Sequence, residues 1–331
     1  ICPLFVVDGQ GVRDEIPSLP GIYRLSVDRL AEQVGDLRRL GMGAVLIYGV
    51  ARDRDELARE ALRADNVVAR ALRTIHDLDA ELVTISDVNV APYLASGGVG
   101  IPRDGGKGSK ERQRGGKGKG EGRQGDRDGG NAKGEGASRV DTDVTLEMLG
   151  EMTMTHVRAG VDFVAPSAGM DGQVAYLREI LDEDDRDGVG ILACSVRYQG
   201  IGTMAEGAAG GAAGGERGEV VADAAPFRVT PANVREALLE VEQDVDEGAD
   251  MVGVEPALAS LDIICRLREE TPIPIVAFSG AHEYQMIKAA AARGWIDGDR
   301  VMLDTLMAIK RAGADAIVTP FAVEAARRLG R

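Results

Sequence analysis

The sequence is poor in several things at once. Among 331 residues there are three cysteines, three histidines and one tryptophan, and aromatic residues make up only 4%. Three widely separated cysteines, Cys2, Cys194 and Cys265, do not build a disulfide framework and point to a reducing compartment, read here as the cytoplasm. His76, His156 and His282 are scattered along the chain, so no His/Cys cluster offers the ligands that a zinc ion needs. No apolar run approaches the roughly 18 residues of a membrane span. Basic residues are outnumbered by acidic ones, 39 to 54, and the resulting charge of -15 argues against a nucleic-acid partner. Lysine is the rarest charged residue: of seven, Lys107, Lys110, Lys117, Lys119 and Lys133 share one stretch, which leaves Lys288 and Lys310 for the rest of the chain. The chain opens on Ile1 rather than Met, so a preceding segment is expected and a targeting signal is left unjudged.

Glycine, by contrast, is abundant, with 44 residues unevenly spread. Residues 103–139 hold 13 glycines and no large apolar side chain, with 11 basic and 6 acidic residues, net +5, against 28 basic and 48 acidic elsewhere, net -20. Such a stretch has nothing to bury and is expected to be a disordered insertion, a solvated segment rather than an arm for an anionic partner. Residues 200–218, with 8 glycines, are expected to form a flexible loop for the same reason.

What remains is regular. Short Val- and Ile-rich runs recur at residues 3–7, 43–48, 81–86, 161–165, 188–194, 249–254, 273–278 and 314–318, each followed by a helical pattern. In the first of these helices Val27, Leu30, Val34, Leu37 and Leu40 recur at three- and four-residue steps. Several helices end on Gly just before the next run, as in RLGMG at 39–43, RAGVD at 158–162, DEGAD at 246–250 and RAGAD at 311–315. Eight continuous apolar strands alternating with helices are the pattern of a single-domain α/β fold, a (β/α)8 TIM barrel over residues 1–331. A doubly wound open sheet would want a Gly-rich phosphate turn after its first strand, and GQGVRD at 9–14 lacks the third glycine and opens no helix. Barrel chemistry sits at strand C-terminal ends. That singles out Asp8, Gly49, Asp87, Ser167, Ser195 with Arg197, Glu255, Ser279 and Thr319.

Those segments resemble the porphobilinogen synthase (5-aminolevulinate dehydratase) family. The resemblance is carried by PLFVVDGQGVRDEIPSLPGIYRLS from residue 3, SDVNVAPYLASGGVG from 86, VDTDVTLEMLG from 140 and GVDFVAPSAGMDGQV from 160. It continues in EPALASLDII from 255, EYQMIKAAAARGWID from 283 and IKRAGADAI from 309. It implies a homo-oligomeric barrel that condenses two molecules of 5-aminolevulinate into porphobilinogen, a pyrrole, in tetrapyrrole and haem biosynthesis. In that family two lysines at neighbouring strand ends form Schiff bases with the substrate ketones. Here the first lysine motif reads CSVRY and the second VEPA, placing Arg197 and Glu255 at the two positions. Imine formation needs an amine that can lose its proton; arginine stays charged and glutamate has no nitrogen. Lys288 and Lys310 fall inside helical patterns and are expected to face outward from the barrel.

The resemblance also implies that Asp87 is kept in the metal-loop motif, while the zinc-cysteine positions have become Asn89, Ala91 and Val99, so zinc is not expected. Glu240 falls where some members bind an allosteric magnesium; the sequence itself requires no cofactor. Arg217 is what remains of the family's lid, Ala281 replaces a substrate-binding serine and Pro320 a tyrosine. Ser195, Ser279, His282 and Arg217 are the substrate-binding candidates, with Arg197, Glu255 and Asp87 as the catalytic positions. Since the two exchanged lysines lie on adjacent strands, Arg197 and Glu255 are expected to form an ion pair. Three readings stay open: the family reaction by a route without Schiff bases, a repurposed enzyme on another small amino or keto acid, and a non-catalytic barrel acting as partner subunit or regulator.

Overall fold

The computed structural model describes residues 1–103, 140–198 and 227–330; the expected insertion from residue 104 onward, the 200–218 run and Arg217 lie outside the described residues. The eight expected strands form in order: β1 (Cys2–Val7), β4 (Ala44–Val50), β5 (Val83–Val88), β6 (Phe163–Pro166), β7 (Gly190–Arg197), β8 (Met251–Glu255), β9 (Ile275–Phe278) and β10 (Ala316–Val318). Neighbours pair in parallel, and the curl closes where Ile1 N donates to Ile317 O (2.9 Å) and Thr319 N donates to Ile1 O (3.3 Å).

Side chains alternate across this wall. Phe5, Leu46, Ile85, Ala165, Leu192, Val276 and Phe278 fill the barrel interior, while Leu4, Val6, Val45, Ile47 and Val164 face outward into a second core. The outer core is roofed by α1 (Leu30–Arg39), α2 (Val67–Leu78), α3 (Thr142–Arg158) and α4 (Gln173–Glu183) on one side. On the other lie α5 (Val234–Asp246), α6 (Leu261–Glu270), α7 (Ala281–Ala292), α8 (Gly298–Ala312) and α9 (Ala322–Arg328). Their starts are written locally: the Asn66, Asp141, Asn233 and Asp297 side chains accept from the backbone amides of α2, α3, α5 and α8. At the ends of α3 and α5, Gly160 and Gly248 take φ of 89° and 100°, which a side chain would resist. His156 of α3 is fully buried against β5, its Nδ1 2.9 Å from Ser86 Oγ; burial holds its pKa down at about 3, so the ring is neutral.

One element was not expected. Residues 13–26 form a hairpin of β2 (Arg13–Glu15) and β3 (Tyr23–Ser26), with β3 running parallel to the C-terminal half of β1. Its loop drives Ile16 and Leu19, both fully buried, into the apolar seam beside Tyr284 and Phe321. The glycine turn that precedes the hairpin is occupied by the chain itself: Gly11 N donates to Asp28 Oδ2 at 2.9 Å and Val12 N to Ser26 Oγ at 2.8 Å. The amides that a phosphate would need are thereby taken.

Candidate active site

At the C-terminal end of the barrel the inward row changes from apolar to charged. Tyr48 stacks on Phe5 at 5.3 Å between ring centroids and marks the boundary; burial pushes its hydroxyl well above its ordinary pKa, with Asp87 and Glu255 adding to the effect. Above it, Arg197 of β7 and Glu255 of β8 are partners in the strand register, and Arg197 Nε lies 3.4 Å from Glu255 Oε2 with both side chains nearly nine-tenths buried. Arg197 Nη1 also donates to the Ser167 carbonyl.

A bulge aims the arginine. Between Ala193↔Val252 and Val196↔Val254, β7 spends three steps where β8 spends two, leaving Ser195 as the extra residue. Leu192 and Cys194 point inward; the inserted residue then turns Val196 out into the helix-side core and returns Arg197 to the interior. Without it the period-2 alternation would send Arg197 outward. On β8, Gly253 leaves room for Phe278, whose ring lies 2.9 Å from where a Cβ would stand, and the next inward residue is Glu255. The Glu255 Oε1 atom comes within 3.5 Å of a Cβ position on Gly280, which places the carboxylate at the N-terminus of α7, where the helix dipole favours negative charge.

Asp87 of β5 completes the cluster. Ser167 Oγ donates to Asp87 Oδ1 at 2.7 Å and accepts from Asn89 Nδ2 at 3.1 Å. Burial pushes the Asp87 carboxyl up to about 6 and Glu255 adds to that, while the Ser167 hydroxyl and Arg197 pull the other way. The group therefore exchanges its proton close to neutrality.

The remaining candidates divide. Ser279 is buried at the end of β9 beside Glu283, whose Oε1 accepts from Leu258 N at 2.7 Å and whose carboxyl burial pushes up. His282 is exposed on the first turn of α7. Ser195 does not join the mouth: as the bulge residue it faces the other side of β7, next to Asp244, and lines a water-sized cavity with Asp171 and Glu240. Asp8 is tied to Arg70 of α2. Of the former zinc positions, Asn89 serves the Ser167 network, Ala91 begins a 3-10 turn and Val99 packs against the outer core. Among the described residues no group of three His, Cys, Asp or Glu is placed to hold a metal.

Both described lysines lie on helices away from the mouth. Lys288 Nζ pairs with Glu324 at 2.7 Å beneath the Tyr284 and Phe321 rings, and Lys310 Nζ donates to Ala314 O at 2.7 Å. Among the described residues, then, the mouth has a guanidinium, the carboxyls of Asp87, Glu255 and Glu283, and hydroxyls but no amine. Sequence reasoning missed Tyr48 and Glu283. The alternation of Leu46, Tyr48 along β4 carried a signal for the first; nothing local marked the second.

A parallel barrel closed at its first and last strands, with a buried charged cluster at the strand C-terminal ends, defines a (β/α)8 protein whose candidate site is its mouth. The chain belongs to the delta-aminolevulinic acid dehydratase family, whose model matches residues 1–112 and 126–328. It is 37% identical to the delta-aminolevulinic acid dehydratase of Synechococcus elongatus over 331 residues, covering 99% of this chain and 90% of that one. The Halalkalibacterium halodurans enzyme of the same name is 33% identical, covering 99% and 89%. Its fold is similar to that of the delta-aminolevulinic acid dehydratase (porphobilinogen synthase) of Toxoplasma gondii ME49 solved with porphobilinogen, with a TM-score of 0.82 and 32% identity over 98% of this chain and 83% of that one. No helix among the described residues is long and apolar enough to cross a membrane.

Proposed function

We propose that this chain binds 5-aminolevulinate, or an amino or keto acid of similar size, at the barrel mouth, within the tetrapyrrole chemistry of its family, and that it acts without Schiff bases at the two strand ends. The observation that carries the reading is the 3.4 Å pair of Arg197 and Glu255 at the positions where the family resemblance implies lysines. A guanidinium beside a carboxylate suits a zwitterion: Arg197 takes the substrate carboxylate through paired N–H donors and Glu255 draws the ammonium. Asp87, titrating near neutrality and held by Ser167, is the group fitted to move a proton. Magnesium at Glu240, a homo-oligomeric assembly and a cytoplasmic setting belong to the same proposal. The loss of both amines supports a second reading, a non-catalytic barrel that partners or regulates a lysine-bearing homologue.

Borohydride trapping and pyrrole formation with 5-aminolevulinate, run beside calorimetry with and without magnesium, separate these readings. The expected result is measurable binding with no mass adduct after reduction. A trapped adduct overturns the proposal; binding without any product on this or related acids moves it to the second reading.

A further inference from the structure

A cavity of about 360 Å³ opens on the outer wall of the barrel seam, between α1 and α9. Leu4 and Leu25, from the outward faces of β1 and β3, and Val323 of α9 give it an apolar floor inside a largely polar border. Four charged side chains border it: Arg13, Asp36, Glu324 and Arg327. The two acids are already neutralised, Asp36 by Arg39 and Glu324 by Lys288 at 2.7 Å. The two arginines are not. Arg13 lies 3.6 Å over the neutral ring of Tyr23, and among the described residues neither Arg13 nor Arg327 has an acidic partner.

A pocket of this size with an apolar floor and, at its border, two arginines without acidic partners among the described residues selects a ligand that is apolar at one end and anionic at the other. We infer that the seam cavity binds a small amphipathic carboxylate, its alkyl or aryl body against Leu4, Leu25 and Val323 and its carboxylate on Arg13 and Arg327. A cation is disfavoured by the arginines, and a neutral body of the same shape leaves them unanswered. The site shares no residue with the barrel mouth, and the inference stands whether or not the mouth binds 5-aminolevulinate.

Calorimetric titration of the full chain with octanoate tests it, with octan-1-ol and octylamine as probes of the same body. Octanoate is expected to bind at one site roughly tenfold or more tighter than octanol, since charge-assisted hydrogen bonds to arginine contribute about that factor; octylamine is expected not to bind. The double variant Arg13→Gln, Arg327→Gln, both at exposed side chains, is expected to bring octanoate to the octanol level, and Val323→Trp to abolish both by filling the cavity. Excess 5-aminolevulinate is expected to leave octanoate affinity unchanged. Octanol binding as tightly as octanoate, full affinity in the double-glutamine variant, or competition by 5-aminolevulinate each overturns the inference.

Discussion

On the inner side of β7, Arg197 meets Glu255 within 3.4 Å and Asp87 lies just beyond Ser167; on the outer side, Ser195 faces Asp244, Glu240 and Asp171 with no cation among the described residues lining the cavity. The two clusters are built on one strand, and the outer one is the richer in carboxyls, with Asp171, Glu240, Asp244 and Glu247. They differ in compensation. Inside, the guanidinium opposes the rise that burial imposes on Asp87, which stops at about 6. Outside, burial acts on Asp244 with Glu247 and Glu240 pushing the same way and only the Ser195 hydroxyl opposing, and the carboxyl reaches about 7; Glu240 is pushed up as well. A buried acid with a cation nearby tends to keep its charge, and one among other acids keeps its proton.

Removing the cation tests that contrast most severely. Arg197→Met leaves Glu255 and Asp87 without compensation and is expected to cost about 3–5 kcal/mol in urea denaturation at pH 7.5, the range for breaking a buried pair. Arg197→Met combined with Glu255→Gln is expected to recover most of that loss. A wild-type midpoint for the single variant would mean that the pair does not organise the mouth.

Asp87→Asn sharpens the comparison through pH. The folded value of about 6 lies above the ordinary carboxyl value, so the stability contribution of Asp87 is fully present below about pH 4 and is lost as pH rises through about 6. The asparagine variant should therefore be the more stable by up to about 3 kcal/mol at pH 7.5, and the two proteins should converge toward pH 4. Denaturation midpoints that stay parallel across that range would contradict the assignment. Asp244→Asn should behave in the same sense with a window reaching about pH 7. Because that side chain is only partly buried, the gain is smaller, about 1–2 kcal/mol above pH 7, read by the same titration.

Most of the barrel is legible in the sequence. Runs such as GAVLIY and GVGILAC are apolar on both sides because a strand under a helical roof is buried on both faces, and the helix starts at Asn66 and Asp297 are local hydrogen-bonding choices. The adjacency of Arg197 and Glu255 followed from their places at neighbouring strand ends. The hairpin at 13–26 was illegible for a physical reason: β2 is exposed throughout, with the sequence RDE, and is held by tertiary bonds to β3 rather than by an apolar pattern. Ser195 and Arg197 share one strand end in the sequence, and even spacing along an unbroken strand would put both side chains on one face. The bulge breaks that rule, and its cause is pairing with β8, which begins 54 residues after β7 ends (251 − 197).

Composition and periodicity thus determined the eight-stranded barrel, its helical roof and the absence of an amine from the two strand ends, because each of these is written in single residues or in their local spacing. The tertiary structure decided the rest. It turned Arg197 toward Glu255 and Ser195 toward Asp244, placed Asp87 behind Ser167, and set Arg13 and Arg327, without acidic partners among the described residues, at the border of the seam cavity. Facing, burial and charge compensation arise from what the other strands and helices bring alongside, and no residue carries that in its own position along the chain.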